Sequence, residues 1–251
     1  MTIEGQIMQF RGFSKKTIEY LHNVRENNSK VWYEDHREDY KKYVRQPFED
    51  LIEDLTPVMR EIDPQIITQP SKCLSRIRRD SRYTKDKHLY RDSAWLVFHR
   101  PAEHMLEGPG FFAEIMREGA RYGMGAFSYT PKEMASMRNY ISENPDLFYA
   151  AASPVASSGL LVLGETYKRM PSGLSERAKQ PGLEKWFIMK NFYISSPILS
   201  HEAFFAPEIA EEIAEKYRVI APFYRLLIEI AQYKAPDEPL PPKNTVDSFE
   251  W

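Results

Sequence analysis

The sequence predicts an α+β protein in which a central antiparallel sheet is flanked by N-terminal and C-terminal helices. Two observations carry this. Apolar residues recur at threes and fours from Tyr33 to Met59 and again from Ile209 to Ile230, the period of a helix with one buried face. Between Ser71 and Tyr129 the pattern changes to short period-two runs divided by turn residues, as half-buried strands require. Helices at the ends with strands between them, rather than regular alternation, point to an antiparallel sheet of about four to six strands.

At 251 residues and 42% hydrophobic content the chain has ample material for a core. No shift in composition divides it, so one domain is expected over residues 1–235, followed by a tail over 236–251. In that tail Pro236, Pro239, Pro241 and Pro242 forbid helix, and Phe249 and Trp251 are candidate anchors. The first residues lack a basic stretch followed by an apolar run, and nothing approaches the roughly 18 apolar residues of a membrane span. The one cysteine, Cys73, excludes an internal disulfide. These features favour a cytoplasmic protein with no membrane partner, and Cys73 is expected to be a small core residue.

Ser14 suits the N-cap of a helix whose apolar positions Ile18, Leu21 and Val24 run out at Asn27-Asn28. Ser29 opens a long amphipathic stretch that Pro47 should kink or divide. Asp35, His36 and Asp39 stand close enough there for a metal site, but Glu34 to Asp39 reads better as an exposed charged face. After Asp63-Pro64, strands are expected at 71–79, 93–99, 111–118 and 121–129. The last two should form a hairpin around Glu118 to Arg121. Gly119, Gly123 and Gly125 lack the order of a dinucleotide loop and are read as bulges or points of close backbone approach.

Thr130-Pro131 opens a helix with Met134, Met137, Tyr140 and Ile141 on its buried face, and Asn144-Pro145 ends it. A short helix over 146–152, a strand over 160–167 and a loop over 171–183 long enough to serve as a lid follow. Leu183 to Lys190 and an apolar run over 191–195 lead to Pro207, beyond which two helices are expected, broken near Pro222.

The chemistry concentrates between Arg76 and Arg91. Seven of these sixteen residues are basic and two acidic, a formal +5 within a chain whose net charge is −2. A basic segment with Tyr83 and Tyr90 inside it, on an acidic background, is a candidate anion site. On a strand, Arg76 and Arg78 would share a face roughly 6 to 7 Å apart, as a pair of forks able to clamp one oxyanion. Asp80 and Asp86 are the natural counter-ions.

The spacing Arg76, Arg79-Asp80, Arg82-Tyr83, Lys85-Asp86-Lys87, Tyr90-Arg91 resembles the signature of a widespread bacterial family catalogued as domain of unknown function family 2461. Gly12-Phe13-Ser14 through Val31-Trp32-Tyr33 to Gln46-Pro47-Phe48 fits as well, as does Trp186-Phe187-Ile188-Met189-Lys190, so the resemblance covers most of residues 10 to 200. It departs at His88-Leu89, where the family usually has Thr-Pro. The resemblance implies a shared fold and motif but no reaction. It singles out Lys190 as the distant base expected to meet the arginine cluster, against the alternative of a solvent-facing lysine at a helix end.

The first functional hypothesis is therefore a small phosphorylated or carboxylated ligand. Arg76, Arg79, Arg82, Lys85 and Lys87 would hold it, with Tyr83, Tyr90, Arg91 and Lys190 completing the site. Asp80 or Asp86 would orient an arginine or act as a catalytic base. Metal-hydrolase, serine-nucleophile and cofactor motifs are missing from the sequence, and whether a reaction follows is left open. The second hypothesis makes the cluster an internal brace or a protein-docking surface. The third, a nucleic-acid module, is disfavoured by the acidic net charge and the narrow basic patch.

Overall fold

The computed structural model describes residues 2–3, 6–80, 86–101, 108–126, 129–170 and 182–233. Strands β1 (Thr2–Ile3) and β2 (Gln6–Ile7) pair antiparallel at the start. Ser14 then caps α1 (Lys15–Asn27), where its backbone N–H donates to Thr17 Oγ1 at 3.1 Å. Ser29 caps α2 (Lys30–Asp35) by accepting from the Trp32 N–H at 3.2 Å, and α3 (Arg37–Tyr40) follows.

The division expected at Pro47 appears as a π-helical turn over Lys41–Arg45, leading into α4 (Gln46–Ile62). Pro47 has no N–H to return to the Tyr43 carbonyl four residues earlier. That carbonyl instead accepts from the Thr17 hydroxyl at 2.6 Å, tying α1 to the turn. Phe48, Leu51, Ile52, Leu55, Val58, Met59 and Ile62 form the buried stripe of α4, each large side chain contributing about 1.5–3 kcal/mol. Asp54 is buried on the same helix, where its carboxylate accepts from the Gln9 and Phe10 N–H groups at 3.0 and 2.9 Å and fixes the N-terminal segment.

Residues 71–79 do not form the expected strand. Pro70 opens a single helical turn, α5 (Pro70–Cys73), and an extended segment follows that is tied only by isolated bridges from Leu74 to Leu96 and from Arg78 to Tyr90. One reason lies in Ser75, whose hydroxyl accepts the Trp95 N–H at 3.0 Å where a strand would offer a carbonyl. The period-two pattern is nonetheless real. Cys73 and Ser75 are buried and Ile77 half-buried, while Arg76 and Arg78 are exposed. The Cys73 thiol donates to the Ile67 carbonyl at 3.2 Å, and burial pushes its pKa up to about 12, so it serves the core as expected.

Strands β3 (Ala94–Phe98), β4 (Gly110–Met116) and β5 (Gly119–Gly125) come next. The turn between β4 and β5 is tighter than expected, using only Arg117 and Glu118. Thr130 caps α6 (Pro131–Glu143) in a capping box with Glu133, as its sequence indicates, and α7 (Pro145–Ser157) is longer than the short helix expected. The strand expected over 160–167 shrinks to β6 (Leu161–Leu163), with a separate bridge from Thr166 to Met189. Helix α8 (Glu184–Ile188) and β7 (Tyr193–Ser195) complete the middle of the chain. The antiparallel sheet has the order β3, β4, β5, β7, β6.

The C-terminal helices expected on either side of Pro222 are one helix, α9 (Ile209–Gln232). Pro222 is on the exposed side, where a proline need only bend the helix. The tail and most of the expected lid loop lie outside the described residues. No helix among the described residues is long and apolar enough to cross a membrane.

The chain forms two compact units. The first comprises residues 1–101, 110–123 and 196–218. In its core Phe13 packs on Phe10 and Phe48, with ring centroids 5.3 and 4.7 Å away. Tyr217 of α9 packs on Phe111 and donates to the Phe112 carbonyl at 2.6 Å, which seats the helix on β4. The second unit comprises residues 102–109, 124–195 and 219–251. Phe148, Trp186, Phe192 and Phe223 form its aromatic core.

Candidate functional site

The candidate site belongs to the first unit and is built by the pairing of residues 77–79 with 89–91. The Arg79 N–H donates to the Leu89 carbonyl and the Arg91 N–H to the Ile77 carbonyl, both at 2.8 Å, on either side of the Arg78 to Tyr90 bridge. Side chains alternate across such a pairing, so Arg79 and Arg91 fall on one face as diagonal neighbours, about 7–8 Å apart at the backbone. Arg79 and Arg91 thus form a second same-face arginine pair. Arg76 and Arg78 are exposed on the other side of the alternation.

The C-terminal end of α1 holds this pairing. Asn28 Oδ1 accepts from the Leu89 and Tyr90 N–H groups at 2.6 and 3.0 Å, and its amide donates to the Tyr90 carbonyl at 3.0 Å. The Leu89 N–H bond to Asn28 helps to fix the segment. The Tyr90 ring is 5% exposed and stacked on Tyr33 at 4.5 Å, so it is a structural anchor and not a platform for a base.

Asp86 is the hub. One carboxylate oxygen accepts from the His88 N–H at 3.0 Å and from His88 Nδ1; the other accepts from Arg79 and, at 3.2 Å, from Arg25 of α1. The hydrogen bonds from His88, backbone first and then imidazole, and after them those of Arg79 and Arg25, hold this carboxyl well below the usual carboxylate range. A carboxylate so engaged orients its partners and does not collect a proton near neutral pH. Arg25 also approaches Asp92 at 3.8 Å.

Arg91 differs from these residues. Its guanidinium lies over the Trp95 ring at 4.7 Å, its Nε is buried without a hydrogen-bond partner, and no carboxylate pairs with it among the described residues. Burial first, and the like charge of Arg79 second, lower its pKa. Beside the cluster, and sharing Arg25 and Asp92 with it, is a cavity of about 340 Å³ whose apolar wall includes Ile18, Leu21 and Met116 and whose rim carries His22 and Arg117. That volume lies within the usual range for small-molecule sites.

Of the other residues singled out in the sequence, Asp80 and Lys87 are exposed. Arg82, Tyr83 and Lys85 lie outside the described residues. Lys190 belongs to the second unit, where it approaches Glu165 at 3.6 Å and the Tyr167 ring at 5.7 Å. Among the described residues no group of three or more His, Cys, Asp or Glu side chains is placed to hold a metal. His36 instead stacks on Trp32 at 4.1 Å.

The family model described as a conserved hypothetical protein, DUF2461, matches residues 16–226, which include every contact of the site. The chain belongs to the DUF2461 family. A search of the curated proteins finds no match. In this DUF2461 protein the residues that sequence reasoning missed are Arg25, Asn28, His88 and Asp92. In the sequence Asn28 shows only as the end of a helix, and His88 only as a departure from the family pattern.

Asp86 gives the site a pH signature. A carboxyl whose folded pKa is depressed adds stability above the ordinary carboxylate pKa of about 4 and loses it as pH falls through the folded value. The stability difference between the wild type and Asp86→Asn is expected to be full at pH 7 and to shrink progressively below about pH 4. Thermal melts at pH 7, 4 and 3 measure it, and a gap independent of pH would mean that the ion pairs are screened to insignificance.

Proposed function

We propose that this DUF2461 protein binds a small oxyanion, phosphorylated or carboxylated, on the face carrying Arg79 and Arg91, with the adjoining cavity receiving the ligand's apolar body. Arg91 carries the proposal. A half-buried guanidinium with an unpartnered Nε and a like charge beside it is costly to maintain. An oxyanion placed between the two arginines would satisfy the donor and offset the repulsion, through charge-assisted bonds of the strongest kind. Asp86 and Asn28 then serve as the frame that holds the arginines ready, and whether the bound molecule reacts is a separate question. This reading assigns the protein to the cytoplasm, where the single thiol stays reduced.

A second reading, favoured by the engagement of both Asp86 oxygens, is that the cluster is only a brace between α1 and residues 86–92. Titration calorimetry with inorganic phosphate on the wild type and on Arg91→Ala separates the two. The expected result is saturable phosphate binding weakened roughly 10- to 100-fold by the substitution, the equivalent of about 1.5–3 kcal/mol for a hydrogen bond to a charged group, with little change in melting temperature. A variant that melts early while the wild type binds no phosphate would establish the brace.

A further inference from the structure

We propose that His88, oriented by Asp86, is a general base at this site and that the protein hydrolyses a phosphate monoester there. The proposal rests on the anion-binding reading and adds a reaction to it. A carboxylate only accepts, so the contact between His88 Nδ1 and Asp86 puts the imidazole proton on Nδ1 and leaves the lone pair on Nε2. The His88 side chain is 39% exposed, and Nε2 has no hydrogen-bond partner among the described residues. The His88 backbone N–H binds the same Asp86 oxygen, which limits the ring's swing. His88 and Arg79 occupy the two oxygens of one carboxylate, so the base stands beside a guanidinium of the anion face. This is the arrangement that general-base catalysis needs: an unengaged Nε2 on a part-exposed ring, a tautomer set by Asp86, and cationic donors for the oxyanion next to it. Two guanidiniums on one face match a phosphate dianion better than a single carboxylate charge.

In the reaction Nε2 takes a proton from water as the water oxygen forms a bond to phosphorus. The ester P–O bond breaks on the opposite side of phosphorus, its electron pair leaves with the ester oxygen, and that oxygen takes a proton from solvent water while the imidazolium returns its own proton to solvent. Inorganic phosphate and an alcohol result, and His88 is again neutral. Arg79 and Arg91 hold the non-bridging oxygens throughout.

The experiment follows p-nitrophenyl phosphate turnover and inorganic phosphate binding, using the full chain, in the wild type, His88→Asn and His88→Gly. The expected result is that all three bind phosphate, that His88→Asn loses about 10²- to 10⁴-fold in kcat with little change in KM, and that added imidazole restores part of the activity of His88→Gly. Rescue by imidazole distinguishes a proton-transfer role from a structural one. Phosphate binding without turnover in the wild type, or turnover equal in His88→Asn, would overturn the proposal and leave the anion site standing. Absence of phosphate binding in the wild type would overturn both.

Discussion

Gly12→Ala is expected to remove a large part of the protein's stability, by about 4 kcal/mol or more where whole domains hold only about 5–15. Gly12 has φ +89°, and a Cβ there would stand 1.9 Å from the Phe205 carbonyl oxygen and 2.5 Å from its carbon. The obstacle is backbone, not the end of a flexible side chain, so relief requires the two segments to part. They are joined next door by the Phe13 N–H to Phe204 carbonyl bond of 2.9 Å, and Phe13 carries the ring that packs on Phe10 and Phe48. Separation would therefore disturb the aromatic core of the first unit as well as strain the left-handed residue. Gly159→Ala is the control, because Gly159 has φ +80° but open space around its missing Cβ. Its cost should be the conformational strain alone, about 1–2 kcal/mol. Thermal and urea unfolding of the two variants measure the difference. Equal losses would show that the contact at Phe205 yields without cost.

The helices are legible because their signals are local. Ser14, Ser29 and Thr130 cap where the sequence places caps, and the stripe of α4 stands in the chain as plain spacing of apolar residues. Residues 71–79 mislead because alternation reports which side is buried and not what the backbone pairs with. An extended segment satisfied by Ser75 and two isolated bridges shows the same period as a true strand. Pro222 misleads for a related reason: the cost of a helical proline depends on whether it stands on the exposed side, which depends on tertiary placement.

At the candidate site, the density of charge marks the stretch but not the contacts that organise it. Asp86 owes its depressed pKa partly to Arg25, 61 residues away, and Asn28 binds residues 61 and 62 positions on. Contacts of that separation leave no spacing to read. The Asp86 to His88 contact spans only two residues, yet a search for metal and nucleophile motifs passes over it, because it has the spacing of neither.

Arg138 shows the same limit in the second unit and supports the other large effect. It lies on the buried face of α6, four residues after Met134 and three before Ile141, where the apolar stripe calls for an aliphatic side chain, and it is 3% exposed. Its Nε donates to the Phe187 carbonyl at 3.0 Å and an Nη to the Met189 carbonyl at 2.5 Å. These are carbonyls at and just beyond the C-terminal end of α8, groups that a short helix leaves without internal partners and that attract positive charge. Burial lowers the Arg138 pKa, with Tyr167 opposing that shift. Arg138→Met keeps a long side chain in the space but leaves both buried carbonyls without a donor, at about 1–3 kcal/mol each. The expected loss is about 3–4 kcal/mol, with Arg138→Lys recovering roughly half by restoring one charged donor. Faster amide hydrogen exchange over residues 184–190 in Arg138→Met should accompany the loss, since the end of α8 would be released first. A methionine variant as stable as the wild type, with unchanged exchange there, would show that water replaces the guanidinium and that the arginine is not what holds α8 in place.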